Sequence, residues 1–323
     1  MDRRRLLGVS LGSSARDFSA EWRWPGGTVE IRRAGTDGDV GAAARLLAQY
    51  DGRVDALALG GVNFCYRLGR RSYPIPTGLR LKRVVKNTLL CDGSYVKAWW
   101  EPWALSEVSR WRGLNFAGRK VLFSSALDRW QLAASLEDLG ARVWLGDGAF
   151  ALGLPILFPG LGAFSPFAAA ALPVLRHLPL SFLYPASRPA GGKGRWAARR
   201  ACARTPVLAG DLHFFRGCLP ARLDGKWVIG SGLTADESQE LVERGVELVM
   251  HLEPVLETAG GRRGLSANLA EAVVAAAAGQ HPEHMGERVF LRLCSELGFA
   301  PAVVTGAPPS VAYLPSSPAK ANI

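Results

Sequence analysis

Residues 119–147 read RKVLFSSALDRWQLAASLEDLGARVWLGD and encode strand, tight loop, helix, strand. Val121, Leu122 and Phe123 form a short apolar run, suited to a strand buried on both faces of a parallel sheet. Ser124, Ser125 and Ala126 are small enough for the turn. From Trp130, apolar residues recur at helical spacing through Ala133, Ala134, Leu136 and Leu139, and Gly140 is placed to end the helix. Val143–Leu145 makes the second strand, with Asp147 at its tip. A strand–helix–strand unit of this length is almost always a right-handed crossover. It has the layout of a mononucleotide-binding unit, in which loop amides face a phosphate and an acidic strand tip faces a ribose hydroxyl. The expected cofactor contacts are Ser124, Ser125, Arg129 and Asp147. The usual glycine pattern is absent, and SSALDR stands in its place. Serines still bring backbone close to a phosphate, whereas Asp128 adds a negative charge that Arg129 only partly offsets. A βαβ packing unit without ligand is the alternative.

The same alternation continues downstream. Pro206–Ala209, Lys226–Gly230 and Val246–Leu252 supply further strands. Thr234 and Glu237 spell a capping box, and Ser266 and Asn268 open a long apolar helix to Ala278. Residues 113–280 therefore form a doubly wound parallel sheet in an α/β protein, with residues 281–323 adding one helix and a Pro/Ser-rich tail. Upstream, Leu6–Leu11 is a strand, and Glu21–Arg33 alternates as a hairpin turning at Pro25-Gly26-Gly27. Helix Val40–Gln49, strand Val54–Leu59, a small hairpin at Phe64–Tyr73, basic helix Leu79–Val85 and strand Thr88–Cys91 follow. Residues 1–112 thus make a small α/β domain. Trp99, Trp100, Trp103 and Trp111 suit a hinge helix packing between the two domains.

A chain of 323 residues accommodates two domains, and its 48% apolar and 21% charged residues are those of an ordinary globular protein. The net charge of +11 suits a small acidic partner, but the arginines are scattered, which speaks for a solubilising surface and against nucleic acid. The five cysteines form no CxxC pair and are odd in number, which argues against a zinc site and a disulfide framework and for a reducing cytoplasm. MDRRRLLGVSLG starts like a signal peptide, but its apolar run is too short and reads better as the first strand.

Residues 148–184 form an apolar insert, uncharged from Gly148 to Leu175. It is long enough to cross a bilayer, but Pro155, Pro159, Pro166 and Pro173 are expected to break any single helix. An apolar lid or a subunit interface, the latter implying a homo-oligomer, is expected in preference to a membrane span. Arg176, His177, Arg188, Lys193 and Arg195 would favour a membrane-surface contact. Ser187–Arg204 reads as an exposed loop.

Ligands of open parallel sheets bind beyond the carboxyl ends of the strands, where Ser124, Ser125, Asp147, Asp211, Ser231 and Glu253 are expected. Asp211, with His213 two positions on, could orient and protonate a substrate, or simply cap the next helix. Lys86, Asn87 and Thr88 precede a strand, and Asp92 and Lys97 follow it. A Lys/Asp pair in a cleft can move a proton during hydride transfer. The expected catalytic set is therefore Asp92, Lys97, Asp211 and His213, with Lys86 or Lys97 meeting a substrate carboxylate.

VSLGSS, GTDGD, LGG, DGS, VLFSSALDR and AGDLHF together resemble the bacterial quinate 5-dehydrogenase family of the shikimate/quinate dehydrogenase class, over most of residues 5–278. The resemblance implies a Rossmann-like cofactor domain and an NAD(P)-dependent oxidoreductase acting on a quinate- or shikimate-like hydroxy acid. It also implies that Ser13 and Ser14 hold substrate. In that class a catalytic aspartate follows an Asn-Thr, whereas here Asp92 comes four residues after Thr88. Asp147, with no arginine just after it, favours NAD over NADP. The second hypothesis is a non-catalytic Rossmann-like protein that binds a nucleotide or acidic metabolite, and the missing glycine pattern favours it.

Overall fold

The computed structural model of the chain describes residues 2–24, 26–178, 192–258, 261–305 and 310–314. Its first lobe carries strands β1 (Asp2–Ser10), β2 (Phe18–Trp24), β3 (Gly27–Gly35), β4 (Ala56–Gly60) and β7 (Leu89–Cys91). They run in the order β2-β3-β1-β4-β7, parallel except for β2, and β5 (Cys65–Leu68) and β6 (Arg71–Pro74) make a separate hairpin. Helix α1 (Val40–Tyr50) starts where the Asp39 side chain accepts from the Ala42 amide, and it packs on β1 and on α2 (Pro76–Lys82). These elements bury Leu7, Val9, Leu47, Leu57 and Leu81 in a core of their own.

The second lobe carries β8 (Lys120–Phe123), β9 (Arg142–Leu145), β11 (Val207–Asp211), β12 (Trp227–Ser231) and β13 (Leu248–Thr258). Their order is β9-β8-β11-β12-β13, all parallel, so the strand order reverses between β8 and β11. Doubly wound topology is therefore met, and that reversal defines the crevice where such sheets bind ligands. Helix α4 (Trp130–Asp138) is the expected crossover between β8 and β9. The two-residue β10 (Phe158–Pro159) adds an antiparallel edge beside β9.

The lobes are more interlocked than a linear division predicts. The chain leaves the first lobe through a π-helical turn at Val96–Trp100 and helix α3 (Glu101–Arg112). It returns through β14 (Gly261–Gly264) to an apolar helix (Ala267–Ala278) that packs chiefly on β4, β7 and β1 of the first lobe. β2 also meets the end of β13 at Trp22 and Thr258, which joins both sheets into one of 14 strands. A second difference lies beyond residue 281. Helix Glu287–Glu296 is present, and β15 (Ala300–Thr305) then pairs with β13 and with β16 (Ser310–Tyr313). The tail from residue 315 lies outside the described residues.

The apolar insert also differs from expectation. It forms the short helix α5 (Asp147–Phe150) and then one unbroken helix, α6 (Gly160–Leu175), with Pro166 and Pro173 inside it. Both prolines are on the exposed side, and the carbonyl that Pro166 leaves unpaired belongs to exposed Gly162, where water can satisfy it. Leu161, Phe164, Ala168 and Leu172 face the protein. Residues 179–184 of the insert lie outside the described residues. The following segment, expected as loop, is helix α7 (Lys193–Arg204) where it is described. No helix among the described residues is long and apolar enough to cross a membrane.

Trp100 joins the lobes. It is 1% exposed, and its indole Nε1 donates to the Leu252 carbonyl of β13 at 2.8 Å. Its ring packs on Trp103 and Phe299, while Trp99 packs on Phe290. Of the four tryptophans expected in a hinge helix, Trp100 bonds to β13, Trp99 and Trp103 pack beside it, and Trp111 is exposed. Trp100→Phe should cost about 1–3 kcal/mol, because it leaves the Leu252 carbonyl unpaired in the core. Trp100→Ala should cost about 3–5 kcal/mol through the cavity it opens. Urea denaturation of the two variants measures both.

Candidate functional site

The loop after β8 meets the tip of β11 at the reversal of strand order. Gly210 in β11 has φ +114°, and a Cβ there would come within 2.2 Å of Ser124 Oγ. Glycine thus lets the two strand ends close together. Ser124 Oγ in turn accepts the Asp211 amide at 2.9 Å.

Asp147 does not reach out to a ligand. It is 3% exposed and accepts from the Ala126 amide at 2.9 Å, the Leu127 amide at 3.1 Å and Ser125 Oγ at 3.3 Å. The loop amides expected to cradle a phosphate are therefore held by the protein's own carboxylate. With no glycines to open the loop, an internal anion occupies the place where a dinucleotide motif would offer its donors. Burial pushes the Asp147 carboxyl up to about 6, against the amides, which favour its charge.

Arg129 is buried beside this loop. Its Nε meets Glu101 Oε2 at 3.0 Å, Nη1 pairs with Asp128, and Nη1 lies 3.9 Å from Asp211 Oδ2. Burial alone would lower the guanidinium pKa, but Glu101, Asp128 and Asp211 outweigh it and hold the charge firmly. Glu101, at the start of α3, also accepts Ser231 Oγ from β12 at 2.9 Å, and burial raises its carboxyl. Asp128 takes Lys97 Nζ at 2.7 Å and Asn63 Nδ2 at 2.8 Å. Burial would raise Asp128, but Lys97 and Arg129 hold it well below the carboxylate range. Glu253, within β13, accepts the Gly232 amide, and burial raises its carboxyl well above the usual range.

The other expected residues fall in different places. Lys97 enters the cleft, but its partner is Asp128 rather than Asp92. Asp92 is 5% exposed and braces the first lobe by accepting the Phe64 amide at 2.7 Å and the Ser94 amide at 3.0 Å. Lys86 lies at the amino end of β7, away from the cleft, where Asp51 accepts the backbone amides of Lys86, Asn87 and Thr88. Ser13 and Ser14 sit on an exposed loop after β1, where Ser13 caps a single 3-10 turn. Asp211 Oδ1 accepts the His213 amide at 2.8 Å, so it caps the short helix Leu212–Phe215. The His213 imidazole instead meets Arg16 of the first lobe, Nε2 to Nη1, at 3.0 Å. Arginine can only donate, so this nitrogen accepts and the ring is neutral. Burial, helped by Arg216, Arg16 and Arg129, lowers its pKa against the pull of Asp211. Sequence reasoning missed Asn63 and Glu101, and took Asp128 for a defect in a phosphate loop. The adjacent acid–base pair Asp128-Arg129 was the one visible signal.

Between the lobes lies a cavity of about 90 Å³. Val62, Asn63, Tyr66 and Ile75 wall it from the first lobe, and Phe164, Phe167 and Leu172 from α6. Ser125, Asp128, Asp147 and Asp211 supply its polar edge. The insert therefore forms one wall of the cavity. The space is mostly apolar.

These features define a two-lobed α/β protein with a cavity between its lobes at the switch point of its parallel sheet. The chain belongs to the family described as "Domain of unknown function (DUF8754)", whose model matches residues 95–305, and residues 5–92 match the model of DUF8753. No curated protein matches it. Solved structures of similar architecture include hetero-hexameric glutamate dehydrogenase from Thermus thermophilus, at 16% identity, TM-score 0.42, 92% of this chain and 74% of that one. L-tryptophan dehydrogenase from Nostoc punctiforme is 12% identical, TM-score 0.35, over 91% and 79%. A sugar transport substrate-binding protein from Bordetella parapertussis is also 12% identical, TM-score 0.33, over 77% and 74%.

The raised Asp147 carboxyl predicts a pH dependence of stability. Below pH 3.8 it is protonated in both states, and between 3.8 and about 6 the unfolded chain ionises first. Stability from this group is therefore full at the acid end and lost as pH rises through about 6. The loss is on the order of 2–3 kcal/mol. Asp147→Asn should flatten this part of the profile, measured as the difference in urea midpoint between variant and parent from pH 4 to 7.

Proposed function

We propose that this protein binds a small, largely apolar molecule between its two lobes, through a hydrogen-bond donor or positive charge that faces Asp211. The mostly apolar cavity at the switch point carries this reading. Asp211 Oδ2 is the least occupied carboxylate oxygen on its wall, with only Arg129 near it at 3.9 Å. The expected acidic ligand is less well matched. The net charge of the chain is positive, but the cleft cations Lys97 and Arg129 are already paired with carboxylates. Arg16 of the first lobe and His213 of the second also meet at 3.0 Å, a polar contact across the two lobes.

A hydroxy-acid oxidoreductase using NAD(P) is the second reading. It is supported by the β8–α4–β9 unit at the switch point and by the Lys97–Asp128 pair at 2.7 Å, whose groups can pass a proton between them. It requires the Ala126 and Leu127 amides to exchange Asp147 for a cofactor phosphate, or the cofactor to bind by other groups.

A thermal-shift panel separates the two. Ligand at about 100 times its Kd stabilises the native state by about 2.7 kcal/mol. Small apolar amines should raise the melting temperature of the parent, and Asp211→Asn should remove that rise. A rise with NADH or NADPH, together with turnover of quinate or shikimate, would replace the binding reading with the oxidoreductase. A panel without any rise would reject both.

A further inference from the structure

A second cluster lies in the first lobe, at the carboxyl end of β7. Cys91 ends that strand, Glu271 belongs to the apolar helix Ala267–Ala278 packed over it, and His281 follows the helix. The sequence separates them by 180 and 10 residues, yet one ligand atom from each falls within 4.8 Å of the other two. Cys91 and Glu271 are fully buried, and the His281 side chain keeps 19% of its surface open, which leaves a path from solvent.

Glu271 is the informative member. Its Oε2 accepts the Tyr95 amide at 2.7 Å and the Val96 amide at 3.4 Å, and so caps the π-helical turn. That accounts for one oxygen. Oε1 is equally buried and meets no donor in good hydrogen-bond geometry, although the Cys91 thiol and the Gly93 backbone lie close to this carboxyl. An orphaned carboxylate oxygen in a core costs free energy unless something meets it. It shares its surroundings with a thiol and an imidazole.

We propose that Cys91, Glu271 and His281 form a site for a divalent transition-metal ion of the zinc type, one sulfur, one oxygen and one nitrogen ligand with a fourth position open. Thiolate, carboxylate and imidazole are the ligands such ions select, at about 2.0–2.3 Å. Tetrahedral placement puts the ligand atoms roughly 3.4–3.8 Å apart. Closing the cluster onto an ion thus requires side-chain adjustments of about 1 Å. His281 now meets the Leu90 carbonyl through Nε2 and the Glu283 amide through Nδ1, each at 3.2 Å. Both are at the long limit for such bonds, so one nitrogen can turn to the metal while the other keeps an orienting partner. Binding transfers two protons to solvent, that of the Cys91 thiol and that of the buried Glu271 carboxyl, and leaves thiolate and carboxylate on the ion. Asp92, whose charge reaches both Cys91 and Glu271, adds a negative field.

The full chain, stripped with chelator and desalted, is titrated with Co²⁺ and separately with Zn²⁺. The expected result is one equivalent per chain, with a thiolate-to-cobalt charge-transfer band in the near ultraviolet. Cys91→Ser should abolish the band. Glu271→Gln, which keeps the Oε2 cap acceptor, and the milder His281→Asn should each weaken uptake about tenfold or more. Cys294→Ser should leave the band intact. Circular dichroism establishes that each variant folds, and should Cys91→Ser not fold, the other two carry the test. Absence of the band and of stoichiometric uptake in the parent would overturn the site. So would a band that survives Cys91→Ser, or uptake untouched by both Glu271→Gln and His281→Asn.

Discussion

The buried guanidinium of Arg129 is the constraint around which the two lobes are arranged. It sits where the hinge helix α3, the β8–α4 loop and the tip of β11 converge, and it touches an acid from each: Glu101, Asp128 and Asp211. An arginine taken out of water is tolerated only when its donors are met by charge at good geometry. Here each carboxylate is itself held by further partners. Ser231 holds Glu101, and Lys97 and Asn63 hold Asp128. Removing any one partner strands a buried charge, so the network ties the relative position of the lobes to the shape of the cleft.

That network also explains why the cleft is chemically different from what its topology suggests. A doubly wound sheet offers its ligand site at the strand reversal, and the cavity is found there. The donors normally free at such a site are consumed internally. Asp147 takes the amides of Ala126 and Leu127, and Glu253 takes that of Gly232. What remains open is apolar surface from α6 and the first lobe, edged by carboxylate oxygen. Specificity at such an edge comes from pairing each buried polar group, since a ligand that leaves one unpaired loses the desolvation cost of that group.

The helix Ala267–Ala278 links the cleft to the rest of the first lobe. It carries Glu271 into an otherwise apolar face, where one oxygen caps the turn that bears Lys97 and the other points toward Cys91 and His281. Occupation of that cluster would therefore bear on the segment that presents Lys97 to Asp128.

The first-lobe strands, the parallel strands of the second lobe, the β8–α4–β9 crossover and the capping box at Thr234 were legible in the sequence, because each rests on local periodicity or on a cap a few residues long, whereas the antiparallel β10, β14, β15 and β16 were not. Ser124 and Asp211 lie at strand ends, a position that follows from strand direction alone in a parallel sheet. Their partners were not legible. That Lys97 meets Asp128 rather than Asp92, that Asp147 turns inward, and that His213 meets Arg16 are decided by contacts across 22 to 197 residues. The proline-bearing insert stays helical because its prolines fall on the solvent side, which depends on what the opposite face packs against. The cysteine pattern argued against a zinc-type site because spacing rules see only ligands close in sequence, whereas Cys91 meets Glu271 and His281 through the return of one helix to the first lobe. Local pattern determined the elements, and long-range burial decided which side chains face each other and which remain free for a ligand.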